Sequence, residues 1–72
     1  MIRKEFALKY DIPTRVVNEA AMLLPNPIDF YEWEMKKAVA EILKRRIETH
    51  RNNETLLKEN KRMLDRILSK KE

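Results

Sequence analysis

Residues 5–24, EFALKYDIPTRVVNEAAMLL, read as two short amphipathic helices joined by a tight turn. Phe6, Ala7 and Tyr10 fall at one helical spacing, and Val16, Val17, Ala20, Ala21, Leu23 and Leu24 fall at another. Asp11-Ile12-Pro13-Thr14 interrupts the first period and starts the second. The pattern predicts helices over 2–10 and 14–24. Pro13 suits the entry to the second, because its missing N–H would have found no partner inside the helix.

This spacing resembles that of the DNA-binding helix-turn-helix, as carried by compact regulators and excisionase-type accessory factors of phages and plasmids. The motif needs a small residue, here Ala7, where the second helix crosses the first. Phe6, Tyr10 and Ile12 close the wedge beneath the crossing, Val17 fills it, and Ala20 continues the buried face. The sequence departs from the family at Asp11, where the turn usually carries glycine because the backbone tends to be left-handed. Aspartate is among the few other residues that visit this conformation at tolerable cost. The resemblance is confined to these residues and implies that the second helix enters the major groove. Thr14, Arg15, Asn18 and Glu19 would then face the bases, with Arg15 suited to guanine O6/N7 and Asn18 to adenine N6/N7. Lys9, Lys44 and Arg45 are the candidate flanking contacts to DNA. The alternative is that these positions form a solvated polar face, which every amphipathic helix has.

Downstream, Pro25-Asn26-Pro27-Ile28 ends the second helix, since the residue before each proline is pushed out of the helical region. Asp29 is a candidate N-cap, with Glu32 three residues on. The helical pattern then covers 29–70. Phe30, Trp33, Met35, Ala38, Val39, Ile42, Leu43 and Ile47 form a broad apolar face, on which Phe30 and Trp33 read as core anchors. The segment KRRIETHRNNET (44–55) is ambiguous: it reads as the exposed middle of one long helix or, at Asn52-Asn53, as the turn of a helical hairpin. The absence of Gly and Pro favours continuity. A heptad-like seam runs through Leu43, Arg46, His50, Asn53, Leu57, Asn60, Leu64 and Ile67. Along it Leu57, Asn60, Leu64 and Ile67 are the candidate dimerisation residues of a coiled-coil-like homodimer.

The remaining composition narrows the function classes. A chain of 72 residues makes one domain, burying only about 60% of its unfolded surface, so association is a common source of further burial. Glycine and cysteine are absent and Ala, Leu, Glu, Lys and Arg abound, an all-α composition without disulfides. A winged variant is disfavoured, since no β-hairpin signal occurs. The lone His50 reads as a half-exposed seam residue and not as a metal ligand or catalyst. No run is long enough to span a membrane or act as a signal peptide, and the expectation is a cytoplasmic protein. No nucleophile–base constellation, phosphate loop or metal cluster appears, so neither an enzyme nor a cofactor or small-molecule ligand is expected. The formal charge of +4 is concentrated in residues 56–72, where six Lys/Arg face three Asp/Glu. The leading expectation is therefore a dimeric DNA-binding regulator or architectural factor of a mobile element. A helical protein–protein adaptor and an antitoxin-like inhibitor are the alternatives.

Overall fold

The computed structural model describes residues 1–69 and contains α1 (Arg3–Tyr10), α2 (Thr14–Ala21), α3 (Glu32–Thr49) and α4 (Glu54–Ser69). The protein is all-α, with no strand among the described residues. Lys70, the last residue of the 29–70 segment, lies outside them, as does Lys71 of the basic C-terminal stretch.

Asp11 ends α1 in the left-handed conformation, φ 53° and ψ 55°, and no other described residue has positive φ. Its N–H, and that of Ile12 at 3.0 Å, donate to the Ala7 carbonyl. One carbonyl of the helix end thereby accepts two hydrogen bonds and is fully satisfied. Ile12 turns inward and is buried. Pro13 takes the extended N-cap position, and its carbonyl accepts from Val16 N–H and Val17 N–H. Phe6, Val17 and Ala20 are fully enclosed and Ala7 nearly so, as the close crossing of two helices demands.

The second helix ends at Ala21, three residues short of the expected boundary. Leu23 N–H and Leu24 N–H instead close single turns onto Ala20 and Ala21. Leu23 is consequently half exposed rather than part of the core. The start of α3 also moves. Asp29 does not cap it: Tyr31 is the N-cap, and the Glu34 carboxylate accepts from Tyr31 N–H at 3.1 Å. Asp29 accepts from the Met1 ammonium at 3.0 Å, while Phe30 and Met1 exchange main-chain hydrogen bonds.

α3 is the central element and packs on both α2 and α4. Met35, Ala38, Val39, Ile42 and Leu43 form its buried stripe, and Phe30 enters the core just before it. The Phe6 ring sits 4.5 Å from the Tyr10 ring and meets Phe30 edge-on at 6.3 Å. Trp33 does not belong to this core. It lies two residues before Met35, about 200° around a helix of roughly 100° per residue, and is 64% exposed.

Of the two readings of 44–55, the structure has the hairpin, with a break between Thr49 and Glu54. His50 closes α3 by donating to the Arg46 carbonyl, and Asn53 N–H returns to His50 at 2.9 Å. Asn53 then caps α4, its side-chain oxygen accepting from Leu56 N–H at 3.2 Å. The reversal lays α4 against α3 of the same chain. Met63, Ile67 and Asn60 are buried there, with Leu57 and Leu64 half-buried. Of the candidate dimerisation residues, Asn60 and Ile67 thus lie inside the protomer. Local signals alone favoured continuity; the apolar stripe of α4 finds its cover by folding back, which outweighs a few unbroken helical residues.

Two further contacts lock the ends. Lys9 Nζ reaches both Glu32 oxygens at 2.7 and 2.9 Å, and Tyr10 Oη donates to the same carboxylate. Glu32 stands in the first turn of α3, where negative charge is favoured by the helix dipole. From the other end of the chain, Arg66 Nη1 donates to the Asp11 carbonyl at 2.6 Å.

Candidate nucleic-acid interface

Burial of Val16, Val17, Ala20 and Ala21 leaves Thr14, Arg15, Asn18 and Glu19 on the exposed side of α2. All four expected reading residues therefore share one face. The two edges of that face differ. On one, Thr14 and Asn18 border a shallow depression with Arg3 and Lys4 of α1, and Arg3 Nη1 donates to Asn18 Oδ1 at 3.1 Å. On the other, Arg15 and Glu19 meet Arg45, Arg46 and His50 at the end of α3. Arg46 donates to Glu19 across this cleft.

The cleft runs on into a groove of about 560 Å³ between the Asp11–Pro13 turn and α4, where Arg62 and Arg66 join the wall. Ile12, Val16, Leu56 and Met63 provide apolar lining, and buried Asn60 adds a polar group. Over the cleft and groove together, Arg15, Arg45, Arg46, Arg62 and Arg66 stand against Asp11, Glu19 and Glu59. The surface is thus net positive, and its cations are all guanidinium groups. Arginine matches the geometry of a phosphate with paired donors, which a lysine ammonium does not.

The structure separates the other candidates. Arg45 joins Arg15 in the cleft. Lys9 is engaged with Glu32 at the start of α3, and Lys44 borders a different cleft with Lys36, Lys37, Ile67 and Leu68. Arg3, Arg62 and Arg66 are not among the residues that the sequence singles out, whereas Arg46 belongs to the basic run 44–46. For Arg62 and Arg66 the signal existed only in part: they are four residues apart on one helical face, but nothing local said which way that face turns.

Among the described residues no helix is long and apolar enough to cross a membrane, and no cluster of His, Asp or Glu has the makings of a metal site. Comparison with family models, with curated proteins and with solved structures gives no match.

Proposed function

We propose that the protein binds double-stranded DNA, with α1 and α2 acting as a helix-turn-helix and α2 as the reading helix. The observation that carries this reading is the flanking of α2. Its exposed face has Arg3 and Lys4 on one side and Arg45, Arg46 and Arg62 on the other. A helix seated in a major groove has a phosphate strand along each side, and phosphate contacts fix its orientation while base contacts specify sequence. The left-handed turn at Asp11 adds support, because it stands where the resembling motif demands that conformation.

Within this reading Arg15 addresses a base edge. Asn18 reads adenine once Arg3 releases its side-chain oxygen to a phosphate. Glu19 either accepts from cytosine N4 or serves to hold Arg46 in place. Arg45 and Arg62 are phosphate contacts, and Lys9 and Lys44 are peripheral. The protein would act in the cytoplasm as a non-enzymatic regulator or architectural factor of mobile-element type.

Fluorescence anisotropy against a library of duplexes at low salt tests this. Arg15→Ala should lose about 1–3 kcal/mol on a preferred site and relax its sequence preference. Arg45→Ala and Arg62→Ala should weaken all sequences alike, each reducing the salt slope by about one. Lys44→Ala should change little. A folded sample that binds no duplex at low salt refutes the proposal.

A further inference from the structure

The groove of about 560 Å³ between the Asp11–Pro13 turn and α4 has two levels. Its floor is apolar, with Ile12, Val16 and Met63 buried there beside Asn60. Its rim is cationic: Arg15, Arg46, Arg62 and Arg66, from three helices, stand against the carboxylates of Asp11 and Glu59. Arg46 is turned to Glu19, and Arg66 gives a donor to the Asp11 carbonyl. Arg15 and Arg62 make no ion pair or side-chain hydrogen bond among the described residues. Asn60 is the unusual member. It is 4% exposed, and its side chain makes no hydrogen bond among the described residues. No enclosed side-chain nitrogen or oxygen described here lacks a partner, so the little exposure that Asn60 keeps includes its amide atoms. The amide therefore opens into the groove from below. A buried polar group is almost always paired, because an unpaired one has lost its hydration for nothing. This one satisfies nothing in the chain itself.

We infer that the groove is a binding site for a small organic anion. Arg15 and Arg62 hold its carboxylate or phosphate head, and Ile12, Val16 and Met63 take its apolar body. A hydroxyl or carbonyl at the deep end meets the Asn60 amide. Each part answers one observation. Guanidinium groups present paired donors that match a carboxylate or phosphate. Arg62 and Arg66 stand one helical turn apart, where like charges repel and an anion relieves them. The Asn60 amide both donates and accepts, so it pairs with a hydroxyl as readily as with a carbonyl. The volume agrees, since small-molecule sites span roughly 300–1,000 Å³ and combine apolar lining with a few placed polar groups. Nucleic acid explains the rim and not the floor. A phosphate strand crossing the arginines leaves Ile12, Val16 and Met63 uncovered and brings nothing to Asn60. The inference stands on the groove alone and does not rest on the DNA-binding reading. Where both hold, the ligand withdraws Arg15 and Arg62 from the duplex, and each weakens the binding of the other by the same factor.

Titration of the isotope-labelled full chain with para-hydroxybenzoate and with para-hydroxyphenyl phosphate, in the absence of DNA, tests it by NMR. Both probes should saturate and shift the Asn60 side-chain amide together with the Arg15 and Arg62 Nε–H signals. The tighter of the two identifies the head group. Removing the head (para-methylphenol) or the body (inorganic phosphate) should each weaken binding about tenfold or more. On the parent chain, benzoate should bind about fivefold more weakly than para-hydroxybenzoate, because it leaves Asn60 unpaired. Arg62→Gln should weaken both probes about tenfold, with helix content by circular dichroism unchanged. Asn60→Leu, similar in shape, should remove the preference for the hydroxyl while benzoate still binds. A folded chain that neither aryl anion saturates overturns the inference, since the groove then holds water alone. So does inorganic phosphate binding as tightly as the aryl probes, or saturation that leaves the Asn60 amide unshifted. An affinity unchanged in Arg62→Gln, or a parent chain indifferent to the hydroxyl, overturns it as well, and neither measurement alters the core.

Discussion

Substitution at Asp11 isolates the backbone conformation on which the turn depends. With φ 53° and ψ 55°, an ordinary L-residue here carries a steric penalty of about 1–2 kcal/mol, lower for aspartate. Glycine removes the penalty but loses more freedom on folding, worth roughly 0.5–1 kcal/mol. These terms nearly offset, so Asp11→Gly should be neutral or stabilise by up to about 0.5 kcal/mol. Asp11→Ala should destabilise by roughly 0.5–1 kcal/mol and Asp11→Val by about 1–2, because a branched Cβ meets the following carbonyl most severely. In a domain this size, about 1 kcal/mol moves the midpoint of thermal unfolding by roughly 4–8 °C. Thermal and urea melts of the four proteins should therefore rank Gly at or above Asp, then Ala, then Val. The Arg66 bond ends on the Asp11 main-chain oxygen and survives in every variant. A Val variant as stable as the parent would refute the argument, as would a Gly variant less stable than Ala. Either would mean that the left-handed backbone angle at this position does not limit the stability of the turn.

Phe6→Ala should cost about 3–5 kcal/mol, since Phe6 has no exposed surface, whereas Trp33→Ala should cost under about 1 kcal/mol; paired urea melts read the difference. Ile67→Ala should cost about 2–5 kcal/mol if α4 belongs to the protomer core, and near-parental stability would show that α4 leaves its place readily in solution. Asn53→Ala should lose about 0.5–2 kcal/mol by removing the cap of α4, seen in the same melts, with the loss concentrated in faster amide exchange at Leu56.

The first half of the architecture is legible in the residues because each step there has a local cause. Phe6, Ala7, Tyr10, Val17 and Ala20 repeat at helical spacing, and Asp11 and Pro13 carry the turn chemistry. The hairpin is less legible. No glycine or proline marks it, and its energy comes from packing Met63 and Ile67 on α3, a tertiary gain that no window of neighbours contains. Trp33 illustrates a different error. Its size argued for burial, yet its position relative to Met35 placed it off the buried stripe. Period is the better guide when the two conflict. Most of the cationic groove was invisible for a topological reason, since Arg15, Arg46, Arg62 and Arg66 come from three helices and meet only once the hairpin closes.

The bond from Arg66 to Asp11 joins positions 55 residues apart and has a mechanical consequence. The pitch of α2 relative to α1 is set by the turn, and one carbonyl of that turn is gripped from the last helix of the chain. Loosening α4 therefore releases a brace on the angle at which Arg15 is presented. If α2 reads DNA as proposed, substitutions near the C-terminal end of α4, far along the sequence from Arg15, should register as changes in selectivity before they register as unfolding.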